Sequence, residues 1–393
     1  ADQDNRYPTF VQWRGAQSPN DPNVKVNPED VAVQMYTSGT TGHPKGVQVS
    51  HQAFYALNEI ADQLGEPEEE WTEWTDRDVS LLAMPNFHIG GTGWALIGMY
   101  AGARNVVLSE FTPAGCLQAI RDHRISKLFI VPAAMQFVLA DPTCADTDFS
   151  SLKYMIYGAS PIPLPLLQRA MDVFQCGFVQ LYGMTETMGV GTYLPAEDHS
   201  ATGNKRMRSA GKTRAGVEIA IKDSGGTVVG NGIIGEICIK SPTNMVGYWN
   251  RPDATASTLV DGWVHTGDAG YMDDDGYVYV QDRIKDMIVS GGENVYPAEV
   301  ESALFGLDGI ADVAVIGVPD DKWGEAVKAC VVLKPGANLS AEQIIAFAKE
   351  KIAGFKVPKS VDFLPVLPRN PAGKILKREL RAPYWEGRDR QVN

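Results

Sequence analysis

Apolar residues along the chain follow a small number of rhythms. Val31, Val33 and Met35 alternate with other positions, and Val47 and Val49 resume an extended run after a polar interruption, so two strands flank a loop. Ser50 is placed to cap a helix with an apolar face of Phe54, Leu57, Ala61 and Leu64, ended by Gly65. The acidic stretch 66–78 reads as a solvated loop. Short apolar runs then recur at 79–84, 105–108, 127–131, 154–157 and 178–181, with helical stretches between them. One helix opens at Thr112 with Pro113 in the first helical position, and another follows Pro163. This alternation predicts a mainly parallel sheet covered by helices, with ligands at the carboxyl ends of its strands.

The period changes after Ala210. Alternating runs at 217–221, 233–239 and 277–281, separated by glycines and aspartates, predict an antiparallel β subdomain. The last part of the chain predicts an α+β unit. It has a helix begun by Pro297, strands at 313–318 and 327–333, and a helix capped by Ser340. The expected fold class is therefore α/β, with a large N-terminal domain and a small, mobile α+β C-terminal domain. The divisions are an arm or linker over 1–30, an α/β subdomain over 31–209, the β subdomain over 210–281, a hinge at 282–285 and the C-terminal domain over 286–393.

Composition narrows the function classes. A net charge of −13 opposes a nucleic-acid surface but leaves room for a local basic pocket. The five cysteines, at 116, 144, 176, 238 and 330, are isolated and form no C-x-x-C pair, so neither a zinc site nor a disulfide framework is indicated. The six histidines show no metal-ligand spacing. No apolar run reaches the length of a membrane span and no signal peptide opens the sequence, which gives a cytoplasmic expectation. Peripheral membrane contact and a homodimer stay open.

The chemistry begins in the loop between the first two strands. It carries the hydroxyls of Thr37, Ser38, Thr40 and Thr41, the glycines Gly39, Gly42 and Gly46, and Lys45. Glycines bring backbone amides close to a ligand, hydroxyls add donors, and the lysine adds a mobile positive charge, which together suit polyphosphate oxygens. Pro44 before the lysine and Gly46 after it depart from the G-x-x-x-x-G-K-[ST] pattern, so another fold must hold the phosphates. Further motifs stand at strand ends: Pro85–Gly91 around His88, Gly158-Ala159-Ser160, and Gln180–Glu186 with Tyr182, Gly183, Met184 and Thr185. The tyrosine ring can stack on a base, the threonine can donate to a phosphate, and Glu186 suits Mg²⁺. Asp268 lies in a Thr-Gly-Asp turn, and its carboxylate offers two acceptor oxygens. Asp282-Arg283-Ile284-Lys285-Asp286, Gly291-Gly292-Glu293 and Gly373-Lys374 complete the series.

Taken in this order, the motifs resemble those of the adenylate-forming superfamily, which includes acyl-CoA synthetases, aryl-CoA ligases, luciferases and peptide-synthetase adenylation domains. The resemblance implies that the loop from Thr37 to Lys45 holds the β- and γ-phosphates of ATP, and that Glu186 with Thr40 holds Mg²⁺. Gly158, Ala159 and Ser160 would border the adenine and Tyr182 would stack on it; Thr185, with Gly183 and Met184, would face the α-phosphate. Asp268 would accept the ribose hydroxyls and Arg283 would reach the ribose. His88, Trp94 and Gly189 would wall the acyl pocket, with His88 as a steric gate. Lys374 would be the catalytic lysine of adenylation. Lys285 would be the hinge about which the small domain turns, bringing Gly291, Gly292 and Glu293 to coenzyme A. The implied reaction is adenylation of a carboxylic, expectedly fatty, acid with release of pyrophosphate, then transfer of the acyl group to coenzyme A. Aryl- or steroid-acid ligases share every motif, and a nucleotide-binding fragment that needs a partner is the alternative outside enzymes. Family members carry a long segment before the phosphate loop, so an N-terminally truncated chain is expected.

Overall fold

A computed structural model describes residues 8–37, 44–65, 70–370 and 373–387. A short helix, α1 (Phe10–Gly15), interrupts the arm expected to lack structure. Thr9 and Gln12 form a reciprocal capping box at its start. Strands β1 (Val31–Thr37) and β2 (Lys45–Ser50) pair antiparallel, with Thr37 opposite Lys45, so both ends of the glycine-rich loop are anchored in one hairpin. Ser38, Gly39, Thr40, Thr41 and Gly42 lie outside the described residues. Helix α2 (Ala56–Leu64) ends at Gly65 with φ +65°, the left-handed cap that glycine takes without strain. Its face is narrower than expected: Leu57 is buried but Leu64 is exposed.

The parallel sheet forms as the runs predict. Strands β3 (Val79–Leu82), β4 (Arg104–Val107), β5 (Lys127–Ile130), β6 (Tyr154–Gly158), β7 (Gly177–Tyr182) and β8 (Thr192–Leu194) lie in the order β4-β3-β5-β6-β7-β8. All pairs are parallel except β7 with β8. Helices α3 (Ile89–Tyr100), α4 (Pro113–His123), α5 (Pro132–Ala140) and α6 (Leu164–Phe174) connect them. Thr112 caps α4 by accepting from Gly115 N–H, as its sequence signature requires. The core between sheet and helices centres on Leu81, Leu128, Ile130, Met135, Ile156, Leu167 and Phe178, each at most 1% exposed.

The acidic stretch before β3 is only partly a solvated loop. Trp71 and Trp74 pack on the core, and Asp78 is buried. Burial alone would raise Asp78, but bonds from Lys153 and Ser126 at 2.8 Å each hold it down at about 2. Lys127 is only 1% exposed; its ammonium donates to the carbonyls of Trp71 and Glu73 and lies 4.7 Å from the Trp74 ring centre.

The antiparallel subdomain contains β9 (Glu218–Lys222), β10 (Gly235–Lys240), β12 (Leu259–Val260), β13 (Trp263–Met272) and β14 (Val278–Arg283), while β11 (Gly247–Tyr248) joins β2 instead. Helix α7 (Pro252–Thr258) follows β11. The C-terminal unit has β15 (Ile288–Ser290), β16 (Glu293–Val295), α8 (Pro297–Phe305), β17 (Ile310–Asp320), β18 (Gly324–Leu333), α9 (Ala341–Lys351), β19 (Ser360–Phe363) and α10 (Lys377–Trp385). The Ser340 cap and the helix start at Pro297 stand where the sequence places them.

Replacing Lys127 by Ala removes a buried cation from two carbonyls and from Asp78. It should lower unfolding free energy by about 3 kcal/mol, read from urea denaturation.

Candidate active site

The site assembles at the carboxyl ends of β6 and β7, where the β subdomain closes over them. Asp268 is 7% exposed on β13 and pairs across the ladder with Arg283 on β14. Its Oδ1 meets Arg283 Nε at 2.9 Å, and its Oδ2 accepts from the Tyr182 hydroxyl at 2.8 Å. Burial raises Asp268, and Arg283 opposes that shift. A carboxylate has about four acceptor positions, so capacity remains for two ribose hydroxyls. The Tyr182 hydroxyl thus ties the parallel sheet to Asp268. Arg283 also donates to Thr266 O at 2.8 Å.

Glu186 is 5% exposed in the turn after β7. Its Oε1 accepts from the Tyr248 hydroxyl at 2.7 Å, and the Lys45 ammonium stands 4.8 Å from the centre of the same ring. Tyr248 was not singled out in the sequence. It arrives through β11, which pairs with β2 at Val47. The carboxylate is a hard oxygen donor beside the loop lysine, which fits Mg²⁺ bound together with phosphates.

Two motif glycines serve the backbone more than the ligand. A side chain at Gly158 would place its Cβ 2.3 Å from Leu181 O on the neighbouring strand. One at Gly183 would meet the returning Gly189 backbone at 2.5 Å. These contacts close the turns that present Ser160 and Thr185. Ala159 and Met188 adopt φ +66° and +59°, an uncommon state for residues with a Cβ that marks tightly held turns.

His88 caps α3: its Nδ1 accepts from Gly90 N–H at 3.2 Å, and burial lowers its pKa. Trp94 is buried with its ring 5.0 Å from Trp74 and 6.5 Å from Phe129. Gly189 lies against Ile89, at the start of the same helix. The three residues expected in the acyl pocket therefore gather around α3.

In the small domain, Lys374 feels the charges of Arg283 and Asp268. Arg369 donates to Gly373 O at 2.6 Å and pairs with Asp312 at 2.6 Å, while Lys374 N–H donates to Asn370 Oδ1 at 2.9 Å. Gly373 faces Val131 and Ala133 at the start of α5, and Gln136 donates to Ala311 O across the domains at 3.0 Å. Lys374 is an exposed residue whose ammonium its surroundings desolvate. Burial first and Arg283 second lower its pKa to about 8, with Asp268 pulling the other way. The hinge is braced on both sides of Lys285. Asp282 accepts from Ala298 N–H at 2.8 Å and Asp286 pairs with Arg381 at 2.9 Å.

Gly291, Gly292 and Glu293 form and follow the β15–β16 turn, with φ +62° and +86° at the glycines. Gly291 N–H donates to Trp323 O at 2.8 Å. Trp323 is 39% exposed and carries the ammonium groups of Lys322 and Lys359 at 4.6 and 5.9 Å from its ring centre. Sequence reading passed over this trio, whose members are far apart in the chain except for Lys322 and Trp323.

Comparison with known proteins identifies the family. The model for AMP-binding enzymes fits residues 2–249, and that for the AMP-binding enzyme C-terminal domain fits residues 299–374. The fatty acid–[acyl-carrier-protein] ligase ScoC of Streptomyces coeruleorubidus is 43% identical over 98% of this chain and 74% of its own length. A feruloyl-CoA synthase from Amycolatopsis is 39% identical over 92% of this chain and 72% of its own. The o-succinylbenzoate coenzyme A synthetase of Bacillus subtilis, solved with ATP and magnesium, superposes with a TM-score of 0.79 at 33% identity, covering 93% of this chain and 73% of that one. The chain belongs to the AMP-binding enzyme family, the adenylate-forming superfamily of acyl-CoA synthetases.

Proposed function

We propose that the chain is an ATP-dependent acyl-CoA ligase that joins a carboxylic acid to AMP and then passes the acyl group to a thiol. The observation that carries this reading is the convergence of Lys374 on the Asp268–Arg283 pair, with Glu186 and Lys45 beside it. Carboxylate and triphosphate repel each other, so catalysis rests on positioning and charge compensation. Lys45 holds the terminal phosphates, Asp268 and Arg283 fix the ribose, and Lys374 spans the attacking carboxylate and the α-phosphate. Glu186 would hold Mg²⁺, which would supply further neutralisation of the phosphates. Adenylation needs Lys374 close to the groups that hold the nucleotide. Thioester formation then asks the small domain to turn about Lys285 and present its glycine turn.

For the acceptor, the exposed Trp323 flanked by Lys322 and Lys359 offers a flat ring and two cations beside the Gly291 turn. That chemistry suits the adenine and phosphates of coenzyme A. A carrier-protein thiol is the competing acceptor, favoured by the name of the ScoC relative.

Trapping adenylates with hydroxylamine across acids from acetate to palmitate, benzoate and a steroid acid tests the reading. Turnover of one class with ATP-dependent pyrophosphate release is expected, and silence on all of them with ATP bound would sink it. Lys374→Ala should abolish adenylation yet spare thiolysis of a supplied acyl-adenylate. Because the ammonium is the active form and its pKa is about 8, the adenylation rate should fall as pH rises through 8. Thiolysis measured alone should lack that limb. Reversing both Lys322 and Lys359 to Glu should raise KM for coenzyme A roughly ten-fold or more while leaving adenylation intact. An unchanged KM would move the acceptor elsewhere.

A further inference from the structure

The strand that carries Asp268 departs from regular pairing at that residue. On β10 and β13, Gly235 faces Gly270 and Glu236 faces Ala269; the ladder resumes only at Cys238 opposite His265. Ile237 alone therefore lies opposite Thr266, Gly267 and Asp268, which form a bulge. Bulged amides lose their ladder acceptors and need others. Gly267, at φ +70°, donates its N–H to Glu236 Oε1 at 2.9 Å. Asp268 N–H donates to Thr266 Oγ1 at 3.1 Å, and that hydroxyl donates to Ile237 O at 2.7 Å. The second oxygen, Glu236 Oε2, lies 2.7 Å from His265 Nδ1. A carboxylate only accepts, so this ring nitrogen carries the proton.

We propose that Glu236 is a positioning residue for the nucleotide. Its carboxylate, oriented by His265, holds the Gly267 amide and so sets the bulge that aims Asp268 at the ribose. The inference rests on Asp268 as the ribose acceptor. Glu236, Cys238 and His265 also offer donor atoms within 4.8 Å of one another. Cys238 is buried, Glu236 already accepts from the Gly267 amide, and His265 already bonds Glu236. The hydrogen-bonded arrangement engages the carboxylate and the imidazole without an ion.

The test compares adenylation with ATP and with its 2′-deoxy and 3′-deoxy analogues. Wild type should prefer ATP, and Asp268→Ala should erase that preference. Glu236→Ala should raise KM for ATP about ten-fold, with a smaller change in kcat, and should shrink the preference for ATP in proportion. Glu236→Gln, which keeps an acceptor for the Gly267 amide, should recover most of it. Should Glu236→Ala fail to fold, Glu236→Asp, one methylene too short for that amide, carries the same expectation. An unchanged preference in folded Glu236→Ala or Glu236→Asp, beside its loss in Asp268→Ala, overturns the role of Glu236. An unchanged preference in Asp268→Ala overturns the ribose assignment instead.

Discussion

The buried Asp268 carboxylate is the joint on which this structure turns. An isolated carboxylate so placed would be costly, because water no longer solvates it. Arg283 compensates with charge and Tyr182 with a hydrogen bond. Each comes from a different part of the chain. Tyr182 ends a strand of the parallel sheet, and Arg283 is the last residue of β14. The same desolvation that demands these partners also strengthens them, since charges interact more strongly away from water. Satisfying one acid thereby fixes the α/β sheet, the β subdomain and the approach to the hinge relative to one another.

Lys374 adds the third body to that joint. Its pKa falls because protein crowds it and Arg283 repels it, and Asp268 only partly offsets both. A cation held in a place that disfavours charge is available for a ligand that brings negative charge. Phosphate oxygens would restore the balance that Arg283 disturbs. The small domain meanwhile keeps its own ionic scaffold. Lys377 pairs with Glu301 at 2.8 Å and lies 3.6 Å from Asp282, and Arg381 pairs with Asp286. Helix α10, which follows Lys374, is thus fastened to the segment around Lys285, and Asp282 bonds both α8 and α10.

The second cluster, Glu186 with Tyr248 and Lys45, shows how a short strand can matter more than its length suggests. β11 spans only Gly247–Tyr248, yet its pairing with β2 puts the phenol between carboxylate and ammonium. The phenol donates to one side of the carboxylate and shows its ring face to the cation. One phenol thus engages both a carboxylate and a cation.

Much of this architecture was legible in local sequence. Periodicity placed the parallel strands, the antiparallel runs and the small domain, because burial on one or two faces writes itself into residue spacing. Caps at Thr112, Ser340 and Gly65 were equally readable, since each satisfies its own helix end. The order of the motifs, and its resemblance to a known family, singled out Asp268, Glu186, Tyr182 and Lys374 as candidates, which any one motif alone would not. Tertiary structure decided what those residues touch. It supplied Tyr248, the Trp323 platform and the Glu236 hold on Gly267, all made by residues distant in sequence whose local patterns are ordinary. It also turned part of the acidic stretch inward, because Lys127 on β5 and Lys153 just before β6 come to meet it. Sequence determined which side chains could do the chemistry; long-range pairing determined which of them meet, since a hydrogen bond or ion pair depends on distance in space and leaves no period along the chain.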